Sequence, residues 1–143
     1  MTTFVVDASV AAKWVLPELT EPFADRAARL LRSYADGSVH LFVPDLFWLE
    51  LGNILWKAVR RGQIDGELAR QGLEGMVQRG FTTIATYPHT SEALEIAMDF
   101  DRTVYDSAYV AVAVATGSDL ITADQRLARV LGLRFPVRWL GAY

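Results

Sequence analysis

The chain contains no cysteine. That excludes disulfides, thiolate zinc sites and thiol nucleophiles together, and it agrees with a reducing cytosol. Long apolar runs are missing as well. The longest, AYVAVAVA from Ala108 to Ala115, falls far short of the roughly 20 residues that span a bilayer, so a soluble, cytoplasmic protein without a membrane partner is expected. The N-terminal MTTFVVDASVAAKWVL carries Asp7 and Lys13 and has no basic leader; it does not read as a signal peptide and should stay in the mature protein. Histidine is scarce, with only His40 and His89. Both lie away from the acidic motifs below, which argues against a ribonuclease built on a histidine pair. A strong charge of one sign is also lacking. The net charge of −3 provides no overall attraction to nucleic acid, although an acidic metal site can be ringed by basic residues that hold phosphates. Repeats, low-complexity segments and linkers are absent. With 143 residues, 52% of them hydrophobic, the chain reads as one domain over residues 1–143.

What is present is an alternation of short strands and helices. FVVD (Phe4–Asp7) is a β-branched run suited to a buried parallel strand, followed by a helix until Pro17. Residues 23–34 repeat apolar side chains at helical spacing, HLFVP is a second strand, and Asp45–Arg61 is a long helix stopped by Gly62. Residues 65–78 form a further helix despite Gly72 and Gly75, then TTIAT is a strand and residues 91–98 a helix. YVAVAVA favours strand by residue type, but its path through Thr116-Gly117 into DLIT predicts a buried helix. DLITAD is the next strand, residues 125–131 a helix, and residues 135–139 a last edge strand. This order predicts a three-layer α/β/α sandwich with a mainly parallel central sheet.

In such sheets ligands bind beyond the carboxyl ends of the strands. Asp7 and Asp124 each leave a predicted strand there, and each taken singly reads as a helix N-cap. Glu50 is an acid on a narrow polar seam with Asn53, Lys57 and Arg61, at about 100° per residue. Asp106 opens the most apolar run of the chain, where the helix dipole favours an acid. A parallel sheet can bring all four to one edge. Without an interleaved cation they repel, by roughly 3 kcal/mol per pair at about 5 Å and an effective dielectric near 20. A hard divalent cation offsets this, and oxygen-only ligands suit Mg²⁺ or Mn²⁺ and phosphodiester hydrolysis.

VVDASV, LELGNIL, TVYDSAYVAVA and LITADQRL together resemble the signature segments of PIN-domain ribonucleases, especially the VapC-type toxins. The resemblance runs along nearly the whole chain, in the family's order. It implies a PIN-like fold and an Mg²⁺- or Mn²⁺-dependent endoribonuclease that leaves 5′-phosphate and 3′-hydroxyl ends. Asp7, Glu50, Asp106 and Asp124 are then the catalytic metal ligands, with Ser9, Asn53 and Thr122 in support. It also implies a cognate antitoxin, which should place a basic residue among these acids, and a homodimer. Asp101 is a weaker candidate, better read as a loop acid. Lys13, Lys57, Arg61, Arg102 and Arg126 lie nearest the motifs and are candidates to hold RNA, single-stranded or looped for an internal cleft. Two other readings stand beside this one. A phosphatase-like domain could use Asp7 as nucleophile, although Ser9 stands where such enzymes carry a second Asp. A catalytically inactive binding module would use the acids as caps and its four Trp residues for contacts.

Overall fold

The short β-branched and aromatic runs become five strands: β1 (Thr2–Val6), β2 (Val39–Pro44), β3 (Thr82–Ile84), β4 (Asp119–Thr122) and β5 (Val137–Trp139). Between them lie α1 (Ala8–Val15), α2 (Ala24–Ala35), α3 (Leu46–Arg60), α4 (Gly66–Gln78), α5 (Thr90–Phe100), α6 (Val104–Thr116) and α7 (Gln125–Leu131). The structure is a computed structural model and describes every residue, Met1–Tyr143.

The sheet order is β3-β2-β1-β4-β5, and every pairing is parallel. The expected sandwich is therefore present, with a sheet that is wholly rather than mainly parallel. Its central strands are buried on both faces, with Val5, Val6, Leu41, Leu120 and Ile121 fully enclosed, which is why they read as continuous apolar runs and not as alternations. The chain builds outward from β1 to β3 and then returns to β4 on the other side of β1. Right-handed crossovers consequently place α1–α4 on one face and α5 and α6 on the other. The strand order reverses between β1 and β4, and ligand crevices form at such a reversal.

Two local details fix this frame. YVAVAVA is helical: α6 is buried continuously from Ser107 to Ala113. Thr103 caps it by accepting from the Asp106 N–H at 3.0 Å, and Gly117 ends it at a φ of 64°, a left-handed turn that glycine adopts without penalty. Caps at both ends outweigh the strand preference of Val and Tyr. In α4, a Cβ on Gly72 would lie 2.3 Å from Val15 Cγ1. The glycine that weakens α4 as an isolated helix lets it approach α1 closely.

Candidate active site

Asp7 is built in from three directions. Its backbone N–H continues the β1–β4 ladder by donating to Ile121 O at 3.1 Å. Its Oδ2 accepts from Thr122 Oγ1 at 2.7 Å and from Ser9 Oγ at 3.0 Å. Its Oδ1 takes only a long bond from the Ser9 N–H, 3.4 Å, so capping α1 is the lesser part of its bonding. The two hydroxyls are locked in turn: Ser9 Oγ accepts from the Ala123 N–H at 3.1 Å, and Thr122 Oγ1 accepts from the Asp124 N–H at 3.1 Å. Each hydroxyl donates its single proton to Asp7 and uses a lone pair to fix the β4–α7 turn. Burial nevertheless pushes the Asp7 carboxyl above the usual range, against these hydrogen bonds, and nearby Asp106 adds to the shift.

Glu50 reaches the same crevice from α3. Its Oε1 is buried and has no hydrogen-bond partner. Burial raises its pKa, and the charges of Asp7 and Asp106 raise it further. Buried beside Asp7 and Glu50 is Tyr109, about one helical turn beyond Asp106 on α6. Its hydroxyl is also buried without a well-formed hydrogen bond, and burial beside Asp7 and Glu50 drives its ionisation far upward. Tyr109 is thus a neutral donor beside two acids. Sequence reasoning treated it as part of an apolar run, although its position three residues from Asp106 puts both on one helix face.

Asp124 stands at the N-terminus of α7, where its Oδ1 accepts from the Leu127 N–H at 3.0 Å. Its Oδ2 and that of Asp106 both accept from Arg102, at 3.4 and 3.2 Å. Arg102 therefore lies as an interleaved cation between two of the acids. It is thus held by acids and is not a free contact for RNA. Lys13 is likewise taken, paired with Glu21 at 3.3 Å and nearly buried. Lys57, Arg61 and Arg126 are exposed and make no ion pair. A cleft of about 380 Å³ is lined by Ser9, Lys13, Arg61 and Asp124, among others.

Asn53 is exposed and makes no hydrogen bond to Glu50. Asp101 is exposed and ends α5 in a left-handed conformation. His40 shares a hydrogen bond with Thr82 Oγ1 at 2.9 Å inside the sheet edge. Trp14 and Trp48 donate to Ala27 O and Thr83 Oγ1, which makes them packing residues. Trp56 on α3 is the exposed tryptophan.

The structure thus brings Asp7, Glu50 and Asp106 into electrostatic contact and ties Asp124 to them through Arg102. No three carboxylates close into a ready-made cation cage. The donor set still fits a divalent ion: every candidate ligand atom is a hard oxygen, and Glu50 Oε1 is a buried acceptor without a well-formed hydrogen bond, the Tyr109 hydroxyl being the donor beside Glu50.

Comparison with known proteins identifies the family and the fold. The PIN domain family matches residues 4–133. Ribonuclease VapC3 of Pyrobaculum aerophilum is 34% identical, over 87% of this chain and 91% of the relative. The crystal structure of PAE2754 from Pyrobaculum aerophilum superposes with a TM-score of 0.70 at 26% identity, covering 99% of this chain and 85% of that one. A toxin-antitoxin complex from Klebsiella pneumoniae shares the fold, with a TM-score of 0.59 at 14% identity over 96% of each chain.

Proposed function

Because this chain belongs to the PIN-domain family, we propose that it is a divalent-metal-dependent endoribonuclease and the toxin of a toxin-antitoxin pair. The observation that carries this is the meeting of Asp7, Glu50 and Asp106 at the β1–β4 reversal, with Glu50 Oε1 unspent. Nucleases of this family depend on divalent metal; for this chain Mg²⁺ or Mn²⁺ is the ion we assign to Asp7, Glu50, Asp106 and Asp124. Such an ion, when bound, neutralises charge on the phosphate and lowers the pKa of water.

The chain's own residues do the rest. Ser9 and Thr122 hold one oxygen of Asp7 and leave the other nearly free. The long buried helix α6 fixes where Asp106 stands. Tyr109 stays protonated beside Glu50 and adds no charge to the acids. Arg61 and Lys57, exposed along α3, are placed to take the phosphates of an unpaired strand that enters the cleft.

A cognate antitoxin and a second copy of the chain complete the proposal. Leu49 and Trp56 on α3 with Leu68 on α4, and Leu94 and Met98 on α5 with Tyr105 on α6, give such partners two exposed apolar faces. No helix is long and apolar enough to cross a membrane, and we place the protein in the cytoplasm as a single PIN-like domain over residues 1–143.

A circular single-stranded RNA tests the reaction, because it offers no ends. With Mn²⁺ or Mg²⁺ the purified protein should open the circle and leave 5′-phosphates; in chelator the circle should survive. Circles intact in both metals, while linear RNA is trimmed from its ends, would replace the endonuclease with an exonuclease. No cleavage of either form removes the nuclease reading.

A further inference from the structure

Arg102 is the cation inside the acidic cleft, and it is held there. One guanidinium nitrogen, Nη2, donates to Asp106 Oδ2 at 3.2 Å and to Asp124 Oδ2 at 3.4 Å. The side chain is only 15% exposed, and its Nε is buried without a partner. The turn that presents it is pinned at both ends. Asp101 closes α5 at a φ of 54°, a left-handed conformation that Asp tolerates better than most residues. The Arg102 N–H then donates to Ala97 O at 3.2 Å, and Thr103 begins α6 as its cap. A mobile surface arginine would have none of these restraints.

Two of the four acids assigned to the metal therefore each spend an oxygen on Arg102, and no three carboxylates close around a common point. A guanidinium and a divalent ion cannot both sit against these two oxygens, because like charges at contact distance repel strongly in a partly buried site. We propose that Arg102 is a resident counter-ion, which pairs Asp106 and Asp124 in the metal-free protein and exchanges with the divalent cation when the site is loaded. The proposal rests on the metal-site reading above. Its consequence is that one positive charge offsets part of the acids' mutual repulsion in the unloaded cleft, while the metal must displace an intramolecular ion pair to enter.

Calorimetric titration with Mn²⁺, together with melting in chelator, tests the exchange in wild type, Arg102→Gln, Arg102→Lys and Asp7→Asn. Arg102→Gln should bind Mn²⁺ about tenfold more tightly, the scale of a charged hydrogen-bonded pair discounted for partial exposure, and should melt lower without metal. Arg102→Lys should fall between, since an ammonium lacks the planar fork. Mn²⁺ binding by Arg102→Gln that is unchanged or weaker overturns the exchange, because a purely structural clamp loses stability without any gain in affinity. If Arg102→Gln does not fold, Arg102→Lys carries the test by the same criterion. The Asp7→Asn control separates the two readings. Binding that survives in it faults the metal site itself; binding lost there, with wild-type affinity in the Arg102 variants, faults only the exchange.

Discussion

Asp7 and Asp45 are the same residue type in the same topological place, each the first residue after a parallel strand on the same sheet edge. Each continues the ladder through its backbone, Asp7 to Ile121 O and Asp45 to Ile84 O. Their side chains diverge. Asp45 is exposed, and Thr86 satisfies both of its oxygens, through the hydroxyl at 2.7 Å and the N–H at 3.3 Å. Asp7 is partly buried, has both short bonds on one oxygen, and shares its surroundings with Glu50 and Asp106. Asp45 pins β2 to the segment after β3, and Asp7 is kept in an environment that disfavours its own charge. What separates them is the strand order. Asp45 lies between strands laid down in sequence, whereas Asp7 lies where the chain has reversed and other helices deliver their acids.

The largest test of that contrast is activity. Asp7→Asn should lower RNA cleavage by about a thousandfold or more, the scale of losing a ligand to a metal that stabilises the reacting phosphate. Asp45→Asn should leave the rate within about threefold, because the two differ by a hydrogen-bond partner far from the reaction. Equal losses in a quantitative cleavage assay would erase the distinction.

A smaller effect separates the two hydroxyls that serve these acids. Thr122 is fully buried and both donates to Asp7 and accepts from the Asp124 N–H. Thr122→Val keeps the shape and strands both partners, so urea unfolding should show a loss of about 2 kcal/mol. Thr86→Val leaves Asp45 exposed to water and should cost less than about 1 kcal/mol. A reversed order would mean that the Asp7 network is not what holds the β1–β4 edge.

The subtlest test is pH. Burial gives Asp7 and Glu50 higher pKa values in the folded chain than their ordinary 3.8 and 4.5, so the folded state binds protons more readily than the unfolded one. Their favourable contribution is complete below those ordinary values and is lost as pH rises through the folded ones. In chelator, the melting temperature of Asp7→Asn/Glu50→Gln relative to wild type should therefore climb from pH 4 towards pH 7. A pH-independent difference would mean that these two acids carry no such penalty.

Much of this was legible before the structure. The end of β1 at Asp7, the helix through YVAVAVA and the polar seam of α3 follow from patterns within a few residues, and the structure bears them out at nearly the same boundaries. Ser9 and Thr122, expected from resemblance to support the acids, both hydrogen-bond to one oxygen of Asp7. Asn53 makes no such bond, since three residues along a helix bring it near Glu50 in angle without aiming it inward. Arg102 reads as a cation for RNA because it lies beside the TVYDSAYVAVA motif; that it pairs with Asp106, four residues on, and with Asp124, twenty-two on, is decided by the fold.

Local pattern alone determined where strands and helices run, because alternation, helical spacing and caps depend on neighbours in the chain and on which side of an element is apolar. It also identified four acids at or near places where a parallel sheet exposes its edge. The tertiary structure alone decided which of them are electrically coupled, that Arg102 stands between two of them, and that Tyr109 lies beside Asp7 and Glu50. Charges and hydroxyls act through space: Thr122 and Asp7 are 115 residues apart in the chain and 2.7 Å apart in the fold. At such short range the Coulomb energy and the desolvation cost are set by distance and burial, neither of which the order of residues encodes locally.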